Sequence, residues 1–349
     1  MKSFRIALYP GDGIGQEVTD AAVRVLEHVQ KGGGFSLDFE RFPWGCDYYD
    51  EHGVVAPDDL VETLRGFDAI YLGAVGFPPR LPDHITLEPL IRIRQAFDLY
   101  ACLRPAKLMP GVRSPLVDPG PIDMIVVREN SEGEYVSIGG GFKSGRKEEV
   151  AIQTAIHTRH GIERVLRFGF DLARTRRKKL TLITKSNAQR FGYVLWDRVL
   201  EEVQGDFGDV KTEKLHIDAA SMDFVRRPAD FDVVVASNLF GDILTDLSGA
   251  ITGSLGLNPS ANLNPPRDHP SLFEPVHGSA PDIAGKGIAN PVAAIQSAAM
   301  MLDWLGQTQA AVAIVHGVEA TLAAGAATPD VGGDLTTTEM TDGILERIG

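Results

Sequence analysis

The sequence predicts an α/β protein, because short apolar runs alternate along the chain with helical patterns of apolar residues. The runs are continuous, as expected of strands buried on both faces of a sheet. They cover residues 4–9, 69–72, 124–127, 180–184 and 233–236. Helical spacing is found at residues 18–29, 57–64, 90–97, 162–173 and 193–203.

A glycine-rich turn follows the first apolar run. Gly11, Gly13 and Gly15 separate that strand from the first helical pattern, and residues 32–34, all glycine, end the helix. The dinucleotide-binding pattern G-x-G-x-x-G would place its third glycine at position 16, where this chain has Gln16. The turn by itself therefore does not predict a standard Rossmann cofactor site.

Three other stretches depart from this alternation. Residues 133–147 are rich in glycine and charge, which indicates an extended arm. Residues 258–281 are rich in proline and asparagine and predict a long loop, and long loops in compact domains are usually functional. Residues 289–305 are the most apolar long segment, but polar residues such as Gln296 and Asp303 favour a buried helix over a membrane span.

Length and composition bound the class of protein. A chain of 349 residues predicts two domains, and 44% hydrophobic with 23% charged residues is typical of globular proteins. The charges sum to 34 − 47 = −13, which disfavours binding to nucleic acid or an anionic membrane surface. Two cysteines and an N-terminus without a recognisable export signal lead us to expect a cytoplasmic protein.

Two acidic residues lie one helical turn apart after the apolar run 233–236. Asp242 and Asp246 at i, i+4 spacing would repel each other unless a cation lies between them, which suits a hard divalent metal ion. Acidic charge near a helix N-terminus is also favourable without a metal, so the pair alone leaves both interpretations open.

Three arginines lie near the ends of predicted elements. Arg94, Arg104 and Arg128 would bind a di- or tricarboxylate if they converged, because a guanidinium pairs with a carboxylate through two hydrogen bonds. Their spacing does not require convergence. Lys185 directly follows the run 180–184, and Asp218 lies within residues 216–220. A lysine inside a pocket that holds a metal ion and carboxylates could relay protons.

Taken together, these motifs resemble the metal-dependent β-decarboxylating dehydrogenases, the isocitrate/isopropylmalate dehydrogenase family. The matching segments are residues 9–15, 103–105, 127–130, 238–246 and 274–286. The resemblance covers nearly the whole chain. It implies an isopropylmalate dehydrogenase-like two-domain fold with a large mixed, twisted sheet flanked by helices, and not a standard Rossmann fold.

The resemblance also implies how the chain is divided and assembled. Residues 1–99 and 254–349 would form a discontinuous cofactor-side domain. Residues 100–253 would form a dimerisation, substrate and metal domain that includes an arm at 133–150. The active protein would be a homodimer with shared active sites, acting on a small-molecule substrate.

The residues that the resemblance implies fall into four groups. Substrate-binding residues would be Leu90, Arg94, Arg104 and Arg128, and the metal ligands would be Asp242, Asp246 and Asp218 of the partner subunit. Tyr135 and Lys185 of the partner subunit would handle protons. Cofactor-binding residues would be Ile14, Glu274, His277, Gly278, Ser279, Ala280, Asp282 and Asn290.

The expected cofactors are NAD and Mg²⁺ or Mn²⁺, and a requirement for K⁺ stays open. Asp282 favours NAD over NADP, because its carboxylate would accept from a ribose hydroxyl and repel a 2′-phosphate.

Within the family, residues 73–78, 82–85, 128–135 and 260–265 resemble the tartrate and D-malate dehydrogenases. We therefore expect oxidative decarboxylation of D-malate to pyruvate and CO₂, tartrate oxidation, or both. The alternative is 3-isopropylmalate or another 3-substituted malate, which Leu90 and Ile91 would suit; Glu88 and Leu90 disfavour isocitrate. A catalytically silent regulatory subunit is a further alternative, which the presence of the reactive residues disfavours.

Overall fold

A computed structural model describes residues 2–348 of the chain. In this range the strands are β1 (Lys2–Gly11), β2 (Phe35–Arg41), β3 (Ala69–Ala74), β4 (Ala101–Lys107), β5 (Asp123–Glu129), β6 (Gly139–Phe142), β7 (Val150–Gln153), β8 (Lys179–Thr184), β9 (Lys211–His216), β10 (Val233–Ala236), β11 (Pro259–Leu263) and β12 (Ser271–Pro275). The helices are α1 (Gly15–Gly33), α2 (Cys46–His52), α3 (Leu60–Leu64), α4 (Asp83–Thr86), α5 (Glu88–Ala96), α6 (Arg159–Arg174), α7 (Gly192–Val203), α8 (Ile217–Arg226), α9 (Asn238–Ile251), α10 (Val292–Trp304), α11 (Thr308–Ala323) and α12 (Thr337–Ile348).

Ten of these strands form one mixed sheet in the order β2-β1-β3-β12-β11-β4-β5-β10-β8-β9. Pairing is parallel toward both edges, whereas β12–β11, β11–β4 and β4–β5 pair antiparallel in the middle. β3 and β10, which each have a strand on both sides, are buried along their whole length, as the continuous apolar runs predict. The predicted α/β class with a mixed sheet is therefore confirmed, and the antiparallel centre distinguishes it from a Rossmann sheet.

The glycine-rich turn after β1 packs against a distant loop. Gly13 has φ +55°, and a Cβ there would lie 2.1 Å from the carbonyl oxygen of Ser279. The carboxylate of Asp12 accepts from the backbone N–H groups of Cys46 at 2.7 Å and Gly76 at 2.9 Å. Glycine is thus required by close approach, and Asp12 ties the turn to the segments after β2 and β3.

The expectation of one long loop over residues 258–281 is wrong in part. Residues 259–263 and 271–275 of this segment form the antiparallel pair β11–β12 near the centre of the sheet, and the residues of both strands are buried. Its polar side chains are accommodated by hydrogen bonds: Asn264 Nδ2, for example, donates to the carbonyl oxygen of Phe97 at 3.1 Å. Composition misleads here because buried amides are tolerated when their hydrogen bonds are satisfied.

The predicted arm is a two-stranded hairpin. β6 and β7 pair antiparallel, and every residue of both strands is exposed, including the apolar Phe142 and Ile152. The hairpin runs to Gln153, beyond the predicted end at residue 150. Exposed apolar side chains on an isolated hairpin are typical of a segment that packs against another surface.

Buried apolar residues form two large clusters on either side of the middle of the sheet. One combines α1 and its neighbouring strands with residues 257–344 and Met109, whereas the other lies between Tyr100 and Ile251. The division at residues 99–100 and 253–254 stays a prediction. The apolar segment at 289–305 is the buried helix α10, as predicted. Among residues 2–348, no helix has both the length and the apolar character that crossing a membrane requires.

Candidate active site

A cleft of about 170 Å³ lies where the carboxyl ends of β3 and β12 meet α5, β4, β5 and α9. Its lining combines charged with apolar side chains. Residues 72–75 and 275–278 form part of the wall. The other lining residues are Leu87, Leu90, Arg94, Arg104, Arg128, Tyr135, Asp242 and Glu274. All of these except Leu87 are predicted site residues. The predicted cofactor residues His277 and Gly278 line the same cleft.

Three arginines from separate elements converge on this cleft. Arg94 lies on α5, Arg104 on β4 and Arg128 on β5, and their side chains are 8%, 8% and 1% exposed. Nε of Arg94 and of Arg104 is buried without a hydrogen-bond partner in the described residues. Sequence spacing could not require this convergence, because antiparallel β4 and β5 and the preceding helix bring the arginines together.

Asp242 is the carboxylate on which two of these arginines meet. Arg104 Nη1 lies 3.2 Å from its Oδ1, Arg128 Nη1 donates to the same atom, and Tyr135 donates from its hydroxyl to Oδ2 at 2.7 Å. Burial is the largest single effect on the pKa of Asp242 and would raise it, but Arg128, Arg104, the Tyr135 hydroxyl and Arg94 together lower it. Burial and the bond to Asp242 raise the pKa of Tyr135, so its hydroxyl keeps its proton at neutral pH.

The third arginine is paired with Glu274. Arg94 Nη2 lies 2.7 Å from Glu274 Oε1, and both side chains are under 10% exposed. The three arginines carry +3 and the two carboxylates carry −2, so the cleft retains one positive charge. Such a cleft favours an anionic ligand.

Asp246 follows Asp242 by one turn of α9, so the predicted shared helix face is present. Partial burial and the negative charge of Asp242 raise the pKa of Asp246. Among residues 2–348, no three His, Cys, Asp or Glu side chains form a cluster able to hold a metal ion. Two carboxylates on one face are suitable ligands for a hard cation.

Lys185 and Asp218 lie together, but apart from the cleft. Lys185 Nζ is 2.6 Å from Asp218 Oδ1, and this contact lowers the pKa of Asp218. Neither residue lines the cleft of its own chain. These predicted site residues therefore form two groups within the chain, one around Asp242 and one around Lys185.

The loop after β12 provides the predicted cofactor residues. His277 and Gly278 line the cleft, and the carbonyl oxygen of Ser279 accepts from the backbone N–H of Ile14 at 2.8 Å. Burial lowers the pKa of His277, and its Nε2 has no partner in the described chain. The loop is thus fixed to the turn before α1, and it carries an imidazole nitrogen without a hydrogen-bond partner.

The remaining residues of this group lie farther along the loop. Ala280 adopts φ +38°, and Asp282 is exposed. Asn290 is buried; its Nδ2 donates to Asp330 Oδ2 at 3.1 Å, and its Oδ1 accepts from the backbone N–H of Val292 at 3.0 Å. Asn290 therefore joins the loop to α10 and to the segment near residue 330.

Asn238 is a site residue to which sequence reasoning assigned no role. Its Oδ1 accepts from Arg128 Nε at 2.9 Å and Nη2 at 2.7 Å, so it fixes the guanidinium plane. The signal was available, because Asn238 precedes Asp242 by four residues in the same helix.

The prediction that isocitrate is not the substrate depends on Glu88 and Leu90. Leu90 lines the cleft, whereas Glu88 is exposed and does not line it.

This fold and cleft are those of a class of dehydrogenases. The family profile described as isocitrate/isopropylmalate dehydrogenase matches residues 5–344, and the chain belongs to that family. It is therefore an enzyme, an oxidoreductase, and the resemblance inferred from the motifs is confirmed.

Its relatives include named decarboxylating enzymes. The chain is 51% identical to the D-malate dehydrogenase [decarboxylating] of Escherichia coli (strain K12), over 100% of this chain and 99% of the relative. It is 50% identical to the probable tartrate dehydrogenase/decarboxylase of Bacillus subtilis (strain 168), with the same coverage. The crystal structure of isocitrate dehydrogenase from Methylococcus capsulatus is similar at a TM-score of 0.89 and 36% identity, covering 99% of both chains.

Proposed function

We propose that the enzyme catalyses NAD-dependent, divalent-metal-dependent oxidative decarboxylation of D-malate to pyruvate and CO₂, and oxidises tartrate as a related substrate. The observation that carries this proposal is the convergence of three buried arginines on one cleft. Relatives about 50% identical over the whole chain are named for these two substrates.

Substrate binding follows from the charge of the cleft. Arg104 and Arg128 would hold one carboxylate of the diacid and Arg94 the other, each through charge-assisted hydrogen bonds. Asn238 keeps the Arg128 guanidinium in plane, and Glu274 holds Arg94. The arginines are thus oriented before substrate binds, which lowers the entropic cost of positioning it.

The metal would be held by Asp242, Asp246 and Asp218 of the partner subunit. The donor set fits Mg²⁺ or Mn²⁺, since carboxylate oxygens are hard ligands and the two on α9 share one face. When bound, the cation would lower the pKa of the substrate hydroxyl and stabilise negative charge on the adjacent oxygen.

Two protons must be moved in the reaction. Lys185 of the partner subunit would accept the hydroxyl proton as the C2 hydride leaves to NAD⁺. Breaking of the C3–C4 bond then releases CO₂ and leaves its electron pair on the enolate of pyruvate. Tyr135 would protonate C3, a role supported by the position of its side chain in the lining of the cleft.

NAD would bind along the loop after β12. His277 offers an unpartnered nitrogen, Asp282 is exposed for contact with a ribose, and the loop is anchored to the turn at Ile14. An imidazole nitrogen and a carboxylate are suitable partners for ribose hydroxyls, so the residues present fit the cofactor.

We further propose a homodimer with shared active sites. Lys185 and Asp218 are paired away from the cleft of their own chain, which leaves that cleft without a third metal ligand. Exposed apolar side chains on α8 and α9, among them Met222 and Ile243, together with those of the arm, provide a surface for a second copy.

A 3-substituted malate is the second candidate substrate. Val75, Leu87 and Leu90 form an apolar part of the cleft wall, and each buried CH₂ of a substituent would contribute about 0.8 kcal/mol. An apolar wall is a better partner for the isopropyl group of 3-isopropylmalate than for the C3 hydroxyl of tartrate.

Steady-state kinetics of the purified chain with NAD⁺ and Mn²⁺ test these alternatives. We expect kcat/KM to be highest for D-malate among D-malate, tartrate and 3-isopropylmalate. A value for 3-isopropylmalate more than about tenfold above that for D-malate would assign the second candidate instead. No reduction of NAD⁺ with any hydroxy diacid would favour a silent regulatory subunit.

A further inference from the structure

The Arg94–Glu274 ion pair is one end of a buried chain of hydrogen bonds. Asn262 Nδ2 donates to Glu274 Oε1 at 2.8 Å, and Asn130 Nδ2 donates to Asn262 Oδ1 at 2.9 Å. Asn130 Nδ2 also lies 3.1 Å from the carbonyl oxygen of Leu99, between α5 and β4. The four residues are at most 7% exposed.

Asn262 is the member of this chain whose chemistry is hardest to replace. Its amide accepts on Oδ1 from Asn130 and donates from Nδ2 to Glu274, so its two ends have different partners. Because Asn130 presents a donor to Oδ1, the Nδ2 group must face Glu274. No other neutral side chain of this size donates and accepts in the same plane.

Glu274 in turn depends on this contact. Its Oε1 receives both Arg94 Nη2 at 2.7 Å and Asn262 Nδ2 at 2.8 Å, which fixes the carboxylate from two directions. Nε of Arg94 has no partner in the described chain, so Glu274 provides the side-chain contact that orients this guanidinium. Loss of the Asn262 donor would free Glu274 to rotate and take Arg94 with it.

We propose that Asn262 is a positioning residue for catalysis: its amide orients Glu274 and, through Glu274, the Arg94 guanidinium toward a substrate carboxylate. This inference rests on the proposed function for the role of Arg94 in substrate binding. Since Asn262 lies on β11 and Asn130 follows β5, the chain of contacts also joins the two strands that flank β4.

Asn262→Asp is the test variant, because it keeps the shape and replaces the N–H donor by a second carboxylate facing Glu274. At about pH 8 we expect the KM for D-malate to rise about tenfold or more. Toward about pH 5.5 the new carboxyl group takes up a proton, donates again to Glu274, and the ratio of variant to wild-type KM falls toward one.

The other charged or titratable groups around this position are Arg94 on α5, Arg104 and Cys102 on β4, and Glu274 on β12. Wild-type enzyme measured over the same pH range corrects for their titration. A purely structural role for Asn262 would lower stability without any recovery of KM at low pH.

Asn264→Asp is the matched control. Asn264 is also buried and lies two residues farther along, but its Nδ2 donates to the carbonyl oxygens of Phe97 and Asp98 and not to a carboxylate. We expect it to lower the melting temperature and to leave the KM ratio independent of pH. If Asn262→Asp fails to fold, Asn262→Leu, which is similar in volume, replaces it. The KM of Asn262→Leu for D-malate should be raised at every pH.

A crystal structure of Asn262→Asp at about pH 8 separates this inference from the proposed function. We expect the Arg94 Nη2–Glu274 Oε1 contact, 2.7 Å in the wild type, to be broken. An intact contact together with an unchanged KM would overturn the inference. If wild-type enzyme did not oxidise D-malate, the proposed function would fail, and the contact in the variant would still decide the role of Asn262.

Discussion

Asp242 has two roles that both require its negative charge. It neutralises Arg104 and Arg128 in a buried cleft, and its lowered pKa keeps it ionised for the metal site proposed here. A substrate carboxylate on the two arginines would take over the first role and leave Asp242 for the cation. Under the proposed function, Asp242 would therefore link substrate binding to metal binding.

Asp242→Asn should lower kcat/KM by about 100-fold or more, because the amide is a poor ligand for a hard cation and misplaces both arginines. Kinetics as a function of Mn²⁺ concentration measure the loss, and the variant should need more metal. Asp38→Asn, at an exposed aspartate of β2, should behave as wild type. Full activity of wild-type enzyme in thoroughly chelated buffer would rule out the metal site.

Asp282 should make the enzyme prefer NAD over NADP. Its exposed carboxylate can accept from a ribose 2′-hydroxyl, whereas it repels a 2′-phosphate. Asp282→Asn should narrow the ratio of kcat/KM for the two cofactors by raising the value for NADP. Comparable wild-type values for NAD and NADP would contradict this assignment.

At the scale of secondary-structure elements, the loop after β8 is held by an anchor on α7. Asp197 accepts from the hydroxyls of Thr184 at 2.8 Å and Ser186 at 2.7 Å, and from Lys214 Nζ at 2.7 Å. These contacts flank Lys185 on both sides in sequence. Burial would raise the pKa of Asp197, but the bonds from Lys214, Ser186 and Thr184 lower it.

A carboxylate with a lowered pKa in the folded state stabilises the protein above its unfolded pKa, and this contribution is lost as the pH falls. Asp197→Ala should therefore lower the free energy of unfolding by about 1–3 kcal/mol at neutral pH, with a smaller difference below about pH 4. Urea unfolding at both pH values measures it. An equal difference at both would mean that packing, and not charge, is responsible.

Helix α9 shows how one element can bring several functional groups to a site. Asn238, Asp242 and Asp246 recur every four residues, so they lie along one face of the helix. The first contacts Arg128, the second lines the cleft, and the third extends the acidic face outward. This periodicity is why the acidic pair could be recognised from the sequence.

At the scale of the whole molecule, the separation of Lys185 and Asp218 from the cleft makes dimerisation a requirement for catalysis under the proposed function. Co-expression of a Lys185→Ala chain with a Tyr135→Phe chain tests it. If sites are shared, each heterodimer has one site with both residues intact and one with neither. Purified heterodimers should then recover about half the wild-type activity, while each parent homodimer stays inactive.

The control is a Lys185→Ala chain co-expressed with Lys185→Ala carrying a different purification tag, which should recover nothing. Verified heterodimers without activity would show that each subunit uses its own Lys185. Size-exclusion chromatography with light scattering should give the mass of a dimer, and an active monomer would contradict shared sites.

Much of this protein was accessible from sequence because the signals are local. Strand and helix periodicity, the turn at Gly13 and the spacing on α9 depend on the geometry of a few consecutive residues, and the structure agrees with them. The prediction of one loop over residues 258–281 was wrong in part, because composition does not show whether a buried asparagine finds a partner.

What the sequence by itself determined is the class of fold, the elements on which the candidate residues lie, and the family to which the motifs belong. The tertiary structure decided which of those residues meet. Arg94 and Glu274 are 180 positions apart, and the contact of Asn262 with Asn130 spans 132. Such contacts depend on the order of strands in the sheet, which no local pattern encodes, because antiparallel β4 and β11 place distant segments side by side.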